Sequence, residues 1–410
     1  MILDSMKVDF RKFNNKEIHF GKKITVISGY NGTMKTTILG LIGQLFAAKH
    51  ESKDSTFPNP DILFEDVYGE VPDAPFRKNM RFSIPEHDPI GKPECHFKFS
   101  NKSIGENGKY SYNTTWRNSK NDPDNKWRVW NIKGKSARGL IKDIPVYFFQ
   151  LDRLFPICKS KRERKIKNVD LTCDEKKLFN KLYYEIFRNI KDEIVGHQAM
   201  KVDNIKNIPG VKFNNRNHDT ISAGEDNISQ IIYSIISMKR IKNRIEKFCH
   251  KKEEFNKKDY YGGIILIDEL DSSLHPPAQK NLFNVLNKYS KKFKIQFIFT
   301  THSTKMLKHA YKRQKNTLKD KATSNDIIIN YLQPKGNQID VIKNPRLSSI
   351  LQRLNLDEDE PKLQVLVEDN EAKQLLELFL NNKIIKKIKI NPLNIGCSEI
   401  IRLLESNTLK

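Results

Sequence analysis

A glycine-bearing turn between an apolar run and a helical pattern is the stretch of this chain best suited to chemistry. Residues 24–29 read Ile-Thr-Val-Ile-Ser-Gly, and residues 30–37 continue as Tyr-Asn-Gly-Thr-Met-Lys-Thr-Thr. Such a turn points backbone N–H groups at phosphate oxygens, a lysine adds positive charge, and the next hydroxyl suits Mg²⁺. The pattern predicts a cradle for a nucleoside triphosphate, formed by Gly29, Asn31, Gly32, Thr33, Met34, Lys35, Thr36 and Thr37.

One position of this turn departs from the usual P-loop pattern, which has glycine directly before the lysine. Here that residue is Met34. Glycine reaches backbone conformations that a residue with a Cβ atom avoids, so a methionine can crowd the phosphate or demand a different local backbone. The alternative interpretation is a chance Gly/Lys turn between a strand and a helix.

A second motif follows far downstream, where Gly263-Ile-Ile-Leu-Ile-Asp268-Glu269 joins a buried-type strand to two acids. After a P-loop, this is a Walker B pattern. Asp268 is expected to reach the Mg²⁺ shell, as is Thr36, and Glu269 is expected to position or deprotonate the attacking water.

Three further segments carry candidate residues. Ser222-Ala-Gly224-Glu225 opens a helical pattern, and a small-residue turn at a helix N-terminus is an anion site, although an ordinary serine cap is the alternative. Asp271 begins the loop directly after Walker B, in which His275 precedes Pro276 and is expected to be structural. His302 ends the next apolar strand, where it could contact a γ-phosphate or the attacking water.

The elements that must position these residues alternate between strands and helices. This order predicts an α/β domain with a mostly parallel sheet. Turn-rich residues 51–140 predict an antiparallel β insert, including strands at 81–84 and 96–100. Helical periodicity runs through residues 170–205, and a long helix is expected at 228–257, which together indicate a helical subdomain over 165–260.

The charge, cysteine content and hydropathy of the chain limit the kinds of protein to which it can belong. The net charge is +24 over 410 residues, which favours nucleic-acid or other anionic partners, unless a general lysine bias accounts for it. The basic runs at 159–167 and 239–244 are the local candidates. Five scattered cysteines without a C-x-x-C pair indicate a cytoplasmic protein with reduced thiols. No apolar run is long enough for a membrane span, so no membrane partner is expected.

The segments at 29–37, 222–225, 264–269 and 300–303 together resemble the ATPase half of the overcoming-lysogenization-defect (OLD) family and related SMC-like, ABC-type ATP-binding proteins. The variant loop Asn-Gly-Thr-Met-Lys-Thr-Thr is similar to one found in that group. The resemblance implies ATP and Mg²⁺ as cofactors, a head-to-tail homodimer around two ATP molecules, and catalytic roles for Lys35, Glu269 and His302.

In that resemblance, Ser222, Gly224 and Glu225 would close over the nucleotide of the opposite protomer, and Asp271 would lie at the dimer contact. Gln150, at the end of a strand, is the candidate Q-loop ligand near Mg²⁺, and Gln44 in the P-loop helix is the alternative.

The C-terminal segment is similar to the opening of a Toprim domain. The apolar run at 363–367 ends in Glu368, a tentative metal ligand, but no Asp-x-Asp follows before residue 410. Nuclease activity of this chain alone is therefore not expected. The expected organisation is an ATPase domain at 1–345, a linker at 346–361 and a partial Toprim-like segment at 362–410.

The expected function is an ABC-type ATPase that couples nucleotide state to nucleic-acid-directed action in prokaryotic anti-phage defence, with a nuclease domain or effector partner. The second hypothesis is a nucleotide-gated assembly protein that needs little hydrolysis. A transporter ATPase is disfavoured by the β insert, the basic composition and the Toprim-like tail.

Overall fold

The computed structural model of the 410-residue chain describes most of its length. The described residues are 3–46, 60–72, 88–100, 107–116, 127–131, 144–154, 164–188, 192–202, 206–215, 221–251, 262–318, 325–354, 363–385, 387–396, 398–399 and 401–402. The chain forms two compact units, residues 1–347 and residues 348–410.

Sixteen strands occur in the described residues. In chain order they are β1 (Leu3–Phe10), β2 (Phe13–His19), β3 (Ile24–Gly29), β4 (Glu94–Phe99), β5 (Lys109–Trp116), β6 (Trp127–Asn131), β7 (Val146–Phe149), β8 (Arg164–Asn168), β9 (Ile194–Val202), β10 (Lys206–Phe213), β11 (Gly263–Ile267), β12 (Ile295–Thr300), β13 (Ile327–Lys335), β14 (Gln338–Lys343), β15 (Leu363–Val367) and β16 (Ile388–Pro392).

The helices in the same residues are α1 (Lys35–Leu45), α2 (Pro60–Leu63), α3 (Cys173–Ile186), α4 (Ala223–Lys251), α5 (Pro276–Phe293), α6 (Thr304–Leu318), α7 (Leu347–Leu354), α8 (Asn370–Phe379) and α9 (Asn382–Ile385). A short 3₁₀ turn at Leu151–Leu154 follows β7.

The larger unit is built on a six-stranded sheet in the order β14-β13-β3-β12-β11-β7. All neighbours are parallel except β14, which pairs antiparallel with β13 at one edge. The continuous apolar runs of β3, β11 and β12 are buried throughout, as strands covered on both faces require. Because these strands are parallel, their carboxyl ends meet at one edge, where ligands bind in open α/β sheets.

A second, antiparallel sheet has the order β2-β1-β4-β5-β6. Its apolar face shares one core cluster with α1 and the central sheet, so the P-loop helix lies between them. The Tyr112 hydroxyl on β5 donates to the Leu41 carbonyl of α1 at 2.7 Å. This packing fixes α1 and therefore the loop that begins it.

The expected fold class, an α/β core with a mostly parallel sheet and an added antiparallel sheet, is confirmed. Strand β4 covers most of the strand expected at 96–100, whereas the one expected at 81–84 lies outside the described residues. Among the described residues, no helix combines the length and apolarity that crossing a membrane requires.

The helix expected across residues 170–205 is wrong in its second half. Helix α3 ends at Ile186, and residues 194–202 form β9, which lies between β8 and β10 in a three-stranded antiparallel sheet. The apolar spacing that predicts a helix extends to Ile194, but the segment that begins there pairs with β8 and β10 instead. The region at 165–260 therefore combines helices with a small sheet.

The smaller unit contains α8, α9 and the parallel pair β15–β16. Strand β15 coincides with the apolar run noted at residues 363–367. Helix α8 is capped by Asp369, whose carboxylate accepts from the Ala372 N–H at 2.7 Å.

One buried side chain joins the central sheet to the five-stranded antiparallel sheet. Gln296 on β12 is fully buried, donates to the carbonyls of Leu3 and Gly21 at 2.8 and 2.9 Å, and accepts from the Leu3 N–H at 3.1 Å. An apolar side chain of similar volume would leave these backbone groups without partners inside the core.

We expect Gln296→Met to lower the free energy of unfolding by about 2–4 kcal/mol, because each buried unsatisfied group costs about 1–3 kcal/mol. Urea unfolding followed by circular dichroism measures this change. Gln338→Met, at an exposed position of β14, is the matched control and should unfold like the wild type. Equal midpoints for the two variants would contradict a joining role for Gln296.

Candidate functional site

The carboxylate of Asp268 joins three elements at the carboxyl edge of the central sheet. It follows β11, is only 3% exposed, and accepts from the Thr36 hydroxyl of α1 at 2.7 Å. Its second oxygen accepts from the Thr300 hydroxyl at the end of β12 at 2.6 Å. P-loop and Walker B residues, 232 positions apart in sequence, therefore form one cluster of oxygen atoms of the kind that Mg²⁺ prefers.

Lys35 lies at the start of α1 with 7% of its surface exposed. Its ammonium donates to the Gly29 and Tyr30 carbonyls at 3.0 and 2.7 Å. Burial lowers its pKa, and the nearby carboxylates of Asp268, Glu269 and Asp271 oppose this shift. A desolvated cation at a helix N-terminus within a glycine-bearing loop fits a phosphate group.

The P-loop backbone visits the left-handed region where the sequence lacks a glycine. Met34 has φ 62° and ψ 28°, and it is the residue that caps α1. Gly32 has φ 74°, in the same region. Left-handed backbone costs about 1–2 kcal/mol for a residue with a Cβ atom. This cost explains why the P-loop pattern has a glycine at the position that Met34 occupies here. The half-buried Met34 side chain packs against the main apolar cluster, which offsets part of that cost.

The remaining cradle residues are arranged around this turn. Thr33 is buried and its hydroxyl donates to the Tyr30 carbonyl at 2.7 Å. Asn31, Gly32 and Thr36 are exposed, whereas Thr37 is half-buried in the first turn of α1. Gly29 is buried, and a Cβ there would lie 2.5 Å from the Leu332 carbonyl oxygen. The exposed positions leave one side of the loop open to a ligand.

Glu269 also has left-handed backbone, with φ 47°. Its N–H donates to the Thr300 hydroxyl at 2.7 Å, and its carboxylate accepts from the Ser272 hydroxyl at 2.8 Å. Strained backbone of this kind persists where surrounding contacts hold it, often at functional sites. The carboxylate is thus oriented beside Asp268.

His302 follows β12 in a half-buried position. Burial lowers the pKa of its imidazole, and the positive charge of Lys35 lowers it further, against the opposing effect of Glu269, Asp271 and Asp268. The ring is therefore near the P-loop lysine and the acidic cluster, and it is neutral at pH 7.

The loops after β11 and β12 are joined to each other. The Thr301 hydroxyl donates to the Asp271 carboxylate. The Ser303 hydroxyl donates to Gln279 of α5 at 2.6 Å and also accepts the Met306 N–H of α6 at 3.1 Å. Helices α5 and α6 therefore begin at a shared hydrogen-bonded junction that includes Asp271. His275 is the N-terminal flanking residue of α5, without a side-chain cap bond.

Ser222 and Glu225 form a reciprocal capping box at the start of α4. The Glu225 N–H donates to the Ser222 hydroxyl at 3.2 Å, and the Ser222 N–H donates to the Glu225 carboxylate at 3.0 Å. Within one chain, Ser222 is therefore an ordinary helix cap, as the alternative interpretation expects. Ser222 is exposed and Glu225 is buried. Gly224 is packed so closely that a Cβ would lie 2.5 Å from the Ser273 carbonyl oxygen.

Gln150 directly follows β7, which lies next to β11. The Asp268 N–H donates to the carbonyl of Phe149 at 2.8 Å, so Gln150 lies beside Asp268 in the sheet register. The alternative Gln44 is buried in α1, among apolar neighbours.

Arg153 joins three of these segments, and the sequence assigned it no role. It is 1% exposed, and its guanidinium donates to Gln150 O at 2.8 Å, Glu269 O at 2.8 Å and Asn227 Oδ1 at 2.9 Å. Burial lowers its pKa to about 10, so it stays charged. The sequence signal for this role was an arginine three residues after a glutamine that ends a strand. The signal was not sufficient, because the partners Asn227 and Glu269 are distant from Arg153 in sequence.

Glu368 is exposed at the end of β15. Within the described part of the chain, no group of three or more His, Cys, Asp or Glu side chains is arranged to hold a metal ion.

Comparison with known families gives one match, over residues 232–307, to the model described as "AAA domain, putative AbiEii toxin, Type IV TA system". The matched segment runs from α4 through Walker B to the beginning of α6. The Septu protein PtuA of Bacillus thuringiensis is 25% identical over 319 residues, which are 76% of this chain and 74% of that protein.

Solved structures with a similar chain course are heads of SMC proteins. The SMC head domain from Thermotoga maritima is 12% identical with a TM-score of 0.42, over 84% of this chain and 100% of that one. An SmcHead bound to the C-winged helix domain of ScpA is 14% identical with a TM-score of 0.45, over 83% and 97% of the two chains. Such low identities and TM-scores carry no information about function.

The left-handed backbone at Met34 predicts a strong dependence on side-chain shape. We expect Met34→Ile to weaken Mg-ATP binding at least about tenfold, because β-branched residues are the least compatible with positive φ. Met34→Gly should bind within about threefold of wild type, since relief of strain offsets lost packing. Calorimetric titration with a non-hydrolysable ATP analogue measures both, and wild-type affinity in Met34→Ile would contradict the strained-loop explanation.

The buried position of Arg153 predicts that lysine cannot replace it, because one ammonium does not reproduce three directed N–H bonds. We expect Arg153→Lys and Arg153→Met to lower the free energy of unfolding by about 2–4 kcal/mol. Arg188→Lys, at an exposed position after α3, is the matched control. Urea unfolding of the full chain decides the matter: a wild-type midpoint for Arg153→Lys would show that the three bonds do not stabilise the fold.

Proposed function

We propose that the chain is an ATPase that closes as a homodimer around two ATP molecules and couples nucleotide state to nucleic-acid-directed action. The observation that carries the proposal is the continuous hydrogen-bonded set of Thr36, Asp268, Thr300 and Glu269 beside Lys35. This set supports the proposal because a hydroxyl, a buried carboxylate and a candidate base lie together beside the glycine-bearing loop. The family match over 232–307 supports an ATPase of AAA or ABC type.

Each of these groups has a separate task in the proposed reaction. Lys35 and the loop N–H groups would hold the phosphates, and Thr36 and Asp268 are the oxygen donors that would hold Mg²⁺. When bound, Mg²⁺ would neutralise part of the phosphate charge. Glu269, oriented by Ser272, would position and deprotonate the attacking water. A neutral His302 could accept or donate a hydrogen bond there.

Dimerisation is supported by the position of Ser222. It is exposed at the N-terminus of the 29-residue helix α4, whose end carries partial positive charge. A second protomer could receive this end over its γ-phosphate, with Asp271 at the contact. Gly224 would contribute indirectly, because it is buried against Ser273 in its own chain.

A role in prokaryotic anti-phage defence, through a nuclease domain or effector partner, follows from the resemblance to the OLD family and stays part of the proposal. Glu368 alone does not supply a nuclease metal site. The second candidate is a nucleotide-gated assembly protein with little hydrolysis, which the strained Met34 in the phosphate loop favours.

The test compares Lys35→Ala and Glu269→Gln with wild type, and uses Glu193→Gln, an exposed position before β9, as the matched control. Phosphate release is measured with and without duplex DNA, and light scattering after gel filtration gives the mass with ATP. We expect Lys35→Ala to lose ATP binding. Glu269→Gln should slow hydrolysis about 10²–10⁴-fold, as loss of a general base does, and accumulate as dimers.

Wild-type hydrolysis by Glu269→Gln would contradict the assigned base. ATP-dependent dimers in a wild-type protein that releases no phosphate would favour the gated-assembly function instead. A protein that neither binds ATP nor changes mass with it would overturn both.

A further inference from the structure

Helices α5 and α6 carry only positive charge. The 18 residues of α5 include four lysines, the 15 residues of α6 include four lysines and one arginine, and neither helix contains an aspartate or glutamate. At the average charge density of the chain, +24 over 410 residues, helices of this combined length would carry about +2. The excess is therefore local and does not follow from the general lysine bias.

The described basic run expected from the sequence, at 239–244, consists mainly of ion-paired side chains. Within the run at 239–244, Arg240 pairs with Glu175 at 2.6 Å, Lys242 with Glu246 at 2.7 Å, and Arg244 with Glu65 at 3.5 Å. The run at 159–167 lies partly outside the described residues. Internal ion pairs thus neutralise three of the four cations in the run at 239–244.

Most of the cations on α5 and α6 lack such partners. Lys288 pairs with Glu185 at 3.4 Å, and Lys292 lies over the rings of Tyr289 and Phe293. The remaining exposed lysines form salt bridges with no carboxylate in the described part of the chain. They include Lys280, Lys305, Lys308 and Lys312, which together with Arg313 we name the basic helix face.

The members of the basic helix face converge across the two helices. Asn284 of α5 accepts from Arg313 of α6 at 2.8 Å and lies 2.9 Å from His309 Nε2. The pKa of His309 falls to about 4, mainly through burial and further through the charges of Arg313, Lys280 and Lys312. Cations from both helices, Lys280 of α5 and Lys312 and Arg313 of α6, therefore lie near His309.

The basic helix face lies on two helices whose first turns adjoin the candidate nucleotide site. Helix α5 begins after Asp271 and α6 begins after His302, and the Ser303–Gln279 bond at 2.6 Å holds their first turns together. Lys305 lies in the first turn of α6, and Lys280 directly follows the first turn of α5. Lys305, Lys308 and Lys312 follow one helix face over about 10 Å, which is about three phosphate spacings along one strand of a duplex.

We infer that the basic helix face binds the phosphate backbone of duplex nucleic acid and transmits its presence to the Asp271–His302 junction. Lysine contacts to phosphate position a duplex without reading its sequence. Binding is therefore expected to be sequence-independent and salt-dependent. The coupling to hydrolysis rests on the proposed ATPase function, whereas the binding does not.

The test measures fluorescence anisotropy of a labelled duplex of about 30 base pairs, without nucleotide, over about 50–200 mM salt. The variant carries Lys280→Gln, Lys308→Gln and Lys312→Gln together. The matched control carries Lys176→Gln, Lys177→Gln and Lys181→Gln, three exposed lysines of α3 with the same total charge change. Circular dichroism verifies that both fold.

We expect the α5–α6 variant to bind about 10–100-fold more weakly, with a salt slope shallower by about 2–3, because each lost phosphate contact removes nearly one counterion. The α3 control should stay within about threefold of wild type. Equal losses in the two variants, or no loss in the first, would overturn the inference. So would equal competition by polyglutamate, since an acidic protein segment would then fit as well.

Duplex RNA of the same length shows whether the backbone is that of DNA or RNA; binding of at least one is expected, and binding of neither overturns the inference. Lys35→Ala should bind the duplex like wild type. Duplex binding can therefore be tested independently of whether the chain is an ATPase. In wild type the bound duplex should change the rate of phosphate release, and the α5–α6 variant should lose that response while keeping its basal rate. A response that persists in the variant would remove the coupling.

Discussion

The position of the site depends on one buried carboxylate, that of Asp268. A charge with so little access to water is stable only when hydrogen-bond donors surround it, and here the donors come from the P-loop helix and from β12. Satisfying Asp268 therefore fixes α1 against β11 and β12. The Thr300 hydroxyl, which donates to Asp268, also accepts the backbone N–H of Glu269 and so orients Glu269.

A second buried charge extends this arrangement outward. The guanidinium of Arg153 contacts the backbone of Gln150 and Glu269 and the side chain of Asn227 in α4. Because its planar fork demands all three acceptors in fixed directions, α4 cannot shift without disturbing the loop after Walker B. The capping box at Ser222 then defines where that helix begins. A change of nucleotide state thus has a structural route to the exposed end of α4.

Much of this could be predicted from residue types and spacing. The loop at 29–37, the Walker B strand and the strand before His302 were recognisable because apolar runs, glycines and acids occur there in local order. Met34 is the residue that departs from the P-loop pattern, and the structure gives it left-handed backbone. The helix predicted beyond Ile186 was wrong, since the spacing of apolar residues alone does not distinguish the continuation of a helix from a new strand that pairs with β8 and β10.

What the sequence by itself determined is the α/β class, and it also supplied the candidates for a phosphate loop with its lysine, hydroxyl and carboxylates, because all of these are local patterns. Only the tertiary structure decided which cations are neutralised and which stay exposed. The run at 239–244 is the more conspicuous in sequence, yet it is paired with Glu175, Glu246 and Glu65. The dispersed lysines of α5 and α6 meet on one face because parallel strands place these helices side by side. Which charges form pairs depends on residues that are far apart in sequence, so only the folded structure determines it.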